Sequence, residues 1–475
     1  MDAPQCTGCR ERNARIAQLE ARLAEVEAKV QEQACLILDL GKKLQDRDLP
    51  KSGTPTRQTE TSKPSTKKAS QRKAGGQPGH PPHMKQLLPP ERVSQTVPLV
   101  PKQCEHCQHA LPVERGPDDP EPTRFQVAEL PEIKAKITEY QGHARTCSCC
   151  GEVTRAAIPE AIRAHSIGPG LAALMSYLVG NCGLSKRRVE ELIESVFEVP
   201  VALGTIAKLE QEMSAALEPA HQEAMDAAKE APVKHADETG WKKAGHKRWL
   251  WVVATTNVVV FLIHRLRNAA VLLQLLGKTL QGILCSDRWR AYDSVPLMQR
   301  QVCWAHLKRN FEKLLDWGRK AKEIGQACLD IKDKVFEVWH LYRGGGMTWR
   351  VMDDHMATLM IQLLTVLQAG EKSRCRKLAR FCSRVLEVYP ALWTFVVVKG
   401  VEPTNNHAER VQRLAVLWRK NCFGCHSDSG CRFVERLLTV VQTLRLQKRS
   451  VFQYLKAALT AHRNGTATPT LLPVR

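Results

Sequence analysis

Apolar residues near the start of the chain recur at alternating steps of three and four: Ile16, Leu19, Leu23, Val26, Val30, Ile37, Leu40 and Leu44, with one polar member, Gln33. This heptad seam, flanked by Glu, Arg and Lys, predicts a coiled coil over 1–49 that joins copies of the chain into a homo-oligomer. A single amphipathic helix packed on the body is the simpler alternative. Over 50–92 the periodicity vanishes. Lys, Ser, Thr, Gln, Pro and Gly dominate, and Gly75-Gly-Gln-Pro-Gly-His-Pro-Pro82 fits neither helix nor strand. Such a segment buries too little apolar surface to order itself and is expected to be a basic, disordered linker, either tracking phosphates or merely solvated.

Helical spacing returns over 161–231. Leu171–Val179 is followed by Lys186–Phe197, capped by Ser185, and, after the Val199-Pro200 turn, by a helix from Leu203 to Leu217. A short helix, tight turn and third helix predict a helix-turn-helix-like DNA-binding region with Lys186, Arg187 and Arg188 toward phosphates; plain three-helix packing gives the same pattern. From 232 to 310 the period shortens to two. Strands are predicted at Val233–Ala236, Arg248–Thr255, Val258–His264 and Gly282–Ser286, with a helix at Ala269–Leu280 before the last. A helical insertion over 311–400 includes Glu323–Leu341 and Thr348–Leu367, and amphipathic helices fill 401–475.

Charge and cysteine content change the picture. The 475 residues carry 70 Lys and Arg against 49 Asp and Glu, a net charge of +21 that calls for a polyanionic partner. Seventeen cysteines without a signal-peptide core at the N-terminus point to reduced thiols and a cytoplasmic protein. No stretch spans a bilayer, since the most apolar run, Trp249–Ile263, is broken by Thr255, Thr256 and Asn257. Cys104-Glu-His-Cys107 and Cys147-Ser-Cys-Cys150 have the spacing of two zinc knuckles. Four thiolates closing a tetrahedron predict a structural Zn²⁺ module over 93–160, with Cys149 a competing ligand and a hairpin expected between the knuckles at Phe125–Gln141. Cys6/Cys9 and Cys422/Cys425 lack a nearby mate and are expected to hold no metal.

Three carboxylates have distinctive settings. Asp237 and Asp287 close short apolar strands, and Glu409 opens an amphipathic helix. Three strands, a helix and a fourth strand, with Asp on the first and fourth, is the order of a ribonuclease-H-like core, in which those strands lie side by side. Such carboxylates can hold two Mg²⁺ (or Mn²⁺) ions, the equipment for phosphodiester cleavage and strand transfer. Glu238, Asp293 and Glu435 are rivals, and Glu238 competes directly with Asp237. On the Glu409 helix, Asn406, Arg413 and Lys420 share a face that suits phosphates, with Arg410 beside it; Lys308 and Arg309, with His306, are further candidates for DNA contact.

The segment from about 160 to 446 resembles the DDE transposases of the bacterial insertion-sequence-sixty-six family. The likeness rests on His-Ala-Asp237-Glu-Thr-Gly-Trp241, Asp287-Arg-Trp-Arg-Ala-Tyr292, Cys303-Trp-Ala-His306-Leu-Lys-Arg309-Asn-Phe311, and Thr404-Asn-Asn-His-Ala-Glu409-Arg410 followed by Arg419-Lys-Asn421. The leading heptads, the Gly-Gly-Gln-Pro-Gly-His stretch and the paired knuckles extend it over most of the chain. The resemblance implies that Asp237, Asp287 and Glu409 are the metal-binding triad, that the inserted helices contact DNA ends, and that accessory transposition proteins take part. The chain departs from the pattern at Thr404, where Asp often stands, and at Cys422 and Cys425. The expected function is transposition of an insertion sequence by metal-dependent cleavage and strand transfer. A non-catalytic DNA-binding protein derived from a transposase is the rival.

Overall fold

The computed structural model describes residues 86–131 and 133–473. The expected coiled coil, the linker as far as residue 85 and the Cys6/Cys9 pair lie outside them. The chain divides into two compact units, 47–133 and the remainder. In the first, the described part is largely irregular and exposed. Its ordered features are a turn at Pro90–Arg92 and the Cys104 loop closed by the Gln103–Ala110 bridge.

The second unit opens with a ribbon of β1 (Ala144–Thr146) and β2 (Val153–Arg155) around the second cysteine knuckle. The hairpin expected at Phe125–Gln141 is absent among the described residues. Phe125, Val127 and Ile137 are exposed, and period-two alternation makes a strand only where one face finds a layer to pack on. The helices α1 (Pro169–Gly180), α2 (Lys186–Phe197), α3 (Leu203–Ala216) and α4 (Glu218–Glu230) follow. The Ser185 hydroxyl caps α2 by accepting the Arg188 amide at 3.4 Å. Their apolar faces join one continuous core with the sheet and the C-terminal helices.

The sheet comprises β3 (Val233–Lys243), β4 (His246–Ala254), β5 (Val259–His264), β6 (Ile283–Ser286) and β7 (Arg300–Val302), ordered β5-β4-β3-β6-β7. β3, β4 and β5 form an antiparallel meander, while β6 runs parallel to both β3 and β7. Between β5 and β6 lies α5 (Ala269–Leu276), which stops at Gly277, short of the expected Leu280. β3 extends well beyond the predicted Ala236, because ladder pairing with β4 carries it past Thr239 and through Lys242 and Lys243. Asp237 is therefore mid-strand, not at a strand end.

Alternate residues of β6 enter different cores. Leu284 faces the first; Ile283 and Cys285 face a second, built with α6 (Trp304–Leu314), α7 (Arg319–Arg343), α8 (Trp349–Glu371) and α9 (Arg376–Leu386). The chain then returns through α10 (Asn406–Cys422), α11 (Asp428–Leu446) and α12 (Val451–Arg463). No described helix is long and apolar enough to cross a membrane.

Both sheet edges are covered. Along β5 the backbone N–H groups of Val259, Phe261 and Ile263 donate to Thr443 Oγ1 (2.9 Å), Thr439 Oγ1 (3.0 Å) and Glu435 Oε1 (2.6 Å) of α11. Four helical residues rise about 6 Å and two strand residues about 6.6 Å, so the two repeats stay matched along the edge. On β7, Gln301 accepts the Phe395 amide at 2.8 Å and donates to the Leu392 carbonyl at 3.0 Å.

Candidate active site

Three elements deliver the three predicted carboxylates. β3 and β6 pair in parallel from Val233 opposite Ile283 to His235 opposite Cys285, two residues short of Asp237 and Asp287. Gly282 permits this approach. It has φ +70°, and a Cβ there would fall 2.2 Å from the Pro232 carbonyl oxygen, which instead accepts the Ile283 amide at 2.8 Å. Asp287 then leaves the sheet in a turn closed by its own Oδ1, which accepts the Trp289 amide at 2.8 Å. Glu409 lies in the first turn of α10.

One fully buried side chain, Asn405, ties these elements together. Its Nδ2 donates to the Ala236 carbonyl at 2.7 Å, its Oδ1 meets His235 Nδ1 at 3.2 Å, and its backbone N–H donates to Cys303 Sγ at 3.1 Å, at the entrance to α6. Burial and the nearby His407 push the His235 imidazole down to about 4, so it is neutral at pH 7. Gln412, one turn after Glu409, turns its amide to Asp237. Oriented with nitrogen toward the carboxylate, it donates to Asp237 Oδ2 at 3.2 Å and accepts the Thr239 amide at 3.3 Å.

The carboxyls act on one another. Burial, then the charge of Glu238 and those of Asp287 and Glu409, raise the Asp237 carboxyl to about 7. His306 of α6 joins the group. Burial and Arg309 hold its imidazole below the ordinary range, against the pull of Asp287 and Glu409. His306 Nδ1 stands 3.7 Å from Glu409 Oε1, too far for a hydrogen bond, and both atoms are buried without a hydrogen-bond partner. Arg309 Nη2 approaches the same Glu409 oxygen at 3.6 Å.

The rivals are engaged elsewhere. Glu238 faces the other side of β3, where it accepts from Arg267 Nε at 2.6 Å and from the Tyr292 hydroxyl. Asp293 pairs with buried Arg300 at 3.1 Å, and Glu435 caps the β5 edge. Among the described residues, no three His, Cys, Asp or Glu side chains are closed into a ready-made metal cage. The donor set nonetheless fits a hard divalent cation: carboxylate oxygens predominate, and Glu409 Oε1 is an orphaned acceptor aimed into the group.

Of the predicted DNA contacts, Asn406, Arg410, Arg413 and Lys420 are exposed on α10. Lys308 is exposed with Glu312 at 3.7 Å, and Arg309 leans on Glu409. His306, a further candidate for DNA contact, lies beside Glu409. Asn405, Gln412 and His235 were not singled out. Gln412 carries a signal, a polar side chain in the buried stripe of Ala408, Ala415 and Trp418, whereas Asn405 and His235 sit beside polar neighbours and carry none.

The two cysteine knuckles, each within its own unit, have the same local build. Cys104 N–H donates to His109 O at 2.9 Å and Gln108 N–H to Cys104 O at 2.9 Å; Cys147 N–H donates to Glu152 O at 2.8 Å and Gly151 N–H to Cys147 O at 2.9 Å. The amides of Cys107 and His106 hold the Cys104 thiol below its ordinary range, and those of Cys150 and Cys149 do so for Cys147. Each loop thus favours the thiolate, the form that binds metal.

Residues 165–432, more than half of the chain, match the family described as Transposase IS66 family. The chain belongs to that family. A curated relative, the uncharacterized protein y4qI of Sinorhizobium fredii (strain NBRC 101917 / NGR234), is 25% identical over 245 residues, which cover 46% of this chain and 44% of the relative. The match thus spans under half of that protein's length.

Proposed function

We propose that this family member is a DDE-type transposase that cleaves DNA at the ends of an insertion sequence and joins the freed 3′ ends to a target. The observation that supports the reading is that Asp237, Asp287 and Glu409, from three separate elements, lie near enough for Asp287 and Glu409 to raise the Asp237 carboxyl, with Gln412 linking the Glu409 helix to Asp237. A meander of three strands followed by two parallel strands, ordered β5-β4-β3-β6-β7, supports a ribonuclease-H-like core. The three carboxylates would hold two Mg²⁺ or Mn²⁺ ions, which when bound polarise the attacking oxygen and stabilise the departing one. Arg309, held against Glu409, and the exposed Asn406, Arg410, Arg413 and Lys420 on α10 offer donors to phosphates on either side of the scissile one; Lys308 lies further along the same surface of α6.

Two further parts belong to this reading. Each pair, Cys104 with Cys107 and Cys147 with Cys150, would ligate Zn²⁺ as a knuckle, a role supported by the matched amide-lined loops around each pair. The leading heptads would join copies of the chain so that two DNA ends are handled together, in the bacterial cytoplasm and with accessory proteins encoded alongside. Cleavage of supercoiled DNA bearing the element's ends, with Mg²⁺, tests the assignment. Asp287→Asn is expected to lower the rate on the order of a thousandfold. Equal cleavage by both proteins refutes it, and DNA binding without cleavage by the wild type favours a non-catalytic binder.

A further inference from the structure

A second site lies where the tip of the β3–β4 hairpin meets the C-terminus of α10. Trp241 forms its floor, and Lys242, Lys247, Arg419, Lys420 and Phe423 its walls; the groove encloses about 570 Å³ and no acidic residue lines it. That volume suits a small-ligand cleft, for which the usual range is about 300–1,000 Å³. The Arg419 guanidinium is fixed by Thr239 Oγ1 at 3.1 Å and by the Gly240 carbonyl, while Lys242, Lys247 and Lys420 are exposed.

Phe423 is out of place by the ordinary rules of folding. It terminates α10 in the left-handed region, φ +59°, a position that helices commonly fill with Gly or Asn. Its residue surface is 79% exposed, so the unfavourable backbone is not offset by burial of the ring. The loop that carries it is nevertheless pinned. Cys425 N–H donates to the Lys242 carbonyl at 2.9 Å, and Ala244 N–H donates to the Cys425 carbonyl at 2.7 Å. Gly424, φ +111°, lies so close to β3 that a Cβ would fall 2.2 Å from the Lys242 carbonyl oxygen. The ring is thus held out on a rigid support, amid four cations.

We infer that Phe423 is a stacking platform for an unpaired DNA base whose neighbouring phosphates are held by Lys242, Lys247, Arg419 and Lys420. An aromatic face surrounded by cations is how single strands are gripped without reading their sequence. The inference rests on the DNA-processing reading above and adds a substrate feature to it, local strand separation. From Asp237 to Trp241 along β3 is about 13 Å, and from Glu409 to Lys420 along α10 about 16 Å. At about 3.4 Å per stacked nucleotide, a strand crossing the carboxylates reaches Phe423 after about four or five nucleotides.

The full-length protein is titrated with a forked duplex carrying 2-aminopurine in its single-stranded tail, and with the matched blunt duplex. Quenching of the tail fluorophore on binding is expected. Phe423→Gly is expected to weaken the forked duplex on the order of tenfold and leave blunt-duplex affinity and the unfolding midpoint undiminished, while Phe423→Trp retains the preference. A wild type that binds blunt and forked DNA alike with no quenching overturns this inference alone, as does a Phe423→Gly variant with the wild-type ratio. A wild type that binds neither DNA overturns the DNA-processing reading with it.

Discussion

Asp237 and Glu238 are neighbours on β3 and carry the same charge, yet the two faces of the strand give them opposite surroundings. Glu238 is enclosed by a complete set of donors. Arg267 and the Tyr292 hydroxyl satisfy its carboxylate, and the Arg267 guanidinium is itself set between the rings of Trp249 (4.6 Å) and Trp289 (4.1 Å). Asp237 meets the Gln412 amide on the α10 face and the charges of three carboxyls, Glu238, Asp287 and Glu409, with no cation in hydrogen-bond contact among the described residues. A buried acid with its cation already in place is a structural device. A buried acid set among other acids holds repulsion that an incoming divalent cation would relieve.

Substitutions at the two positions should therefore fail differently. Asp237→Asn is expected to abolish cleavage to the same degree as Asp287→Asn while keeping the fold, as read by cleavage assay and urea unfolding. Glu238→Gln takes the carboxylate from Arg267, whose side chain is 24% exposed, and should lower unfolding stability by roughly 1–3 kcal/mol, with cleavage following the folded fraction. If Glu238→Gln lost cleavage at full stability, the division between the two faces would be wrong.

pH sharpens the contrast. The folded Asp237 carboxyl lies at about 7, above its ordinary value, so between about pH 4 and pH 7 the folded state binds more protons than the unfolded one. Stability should fall as pH rises through that window and level off above it. Glu435, also raised to about 7 by burial, adds to the slope. Asp237→Asn should be more stable than wild type at pH 8 by roughly 1–4 kcal/mol and indistinguishable near pH 4, with urea midpoints as the measure. Mg²⁺ competes with that proton for Asp237, so the Mg²⁺ concentration needed for half-maximal cleavage should rise as pH falls below about 7. The smallest effect is expected at the β5 edge. Thr439→Val removes the acceptor for the Phe261 amide and should cost about 1–2 kcal/mol, without changing cleavage by the folded protein.

Much of the sheet region could be read from the chain. The Val233 and Ile283 runs end up adjacent, as the order of strands and helix suggested, and helices appear at Lys186 and Leu203 within a residue or so of expectation. The misses share a cause. Phe125–Gln141 alternates as a strand does but has no layer to cover it. Asp237 looked like a strand end because the ladder continues through polar residues that only β4 explains.

Local order is written in neighbouring residues. Heptads, period-two runs, Cys-x-x-Cys spacings and the caps of helices are determined by side chains a few positions apart, so the sequence alone established the elements, the basic character and the acids worth considering. Which of two adjacent acids is satisfied, which glutamate caps an edge, and which polar groups face one another without partners depend on residues tens of positions away or more than a hundred. Those choices were made by packing, because desolvation and charge act through space and not along the chain.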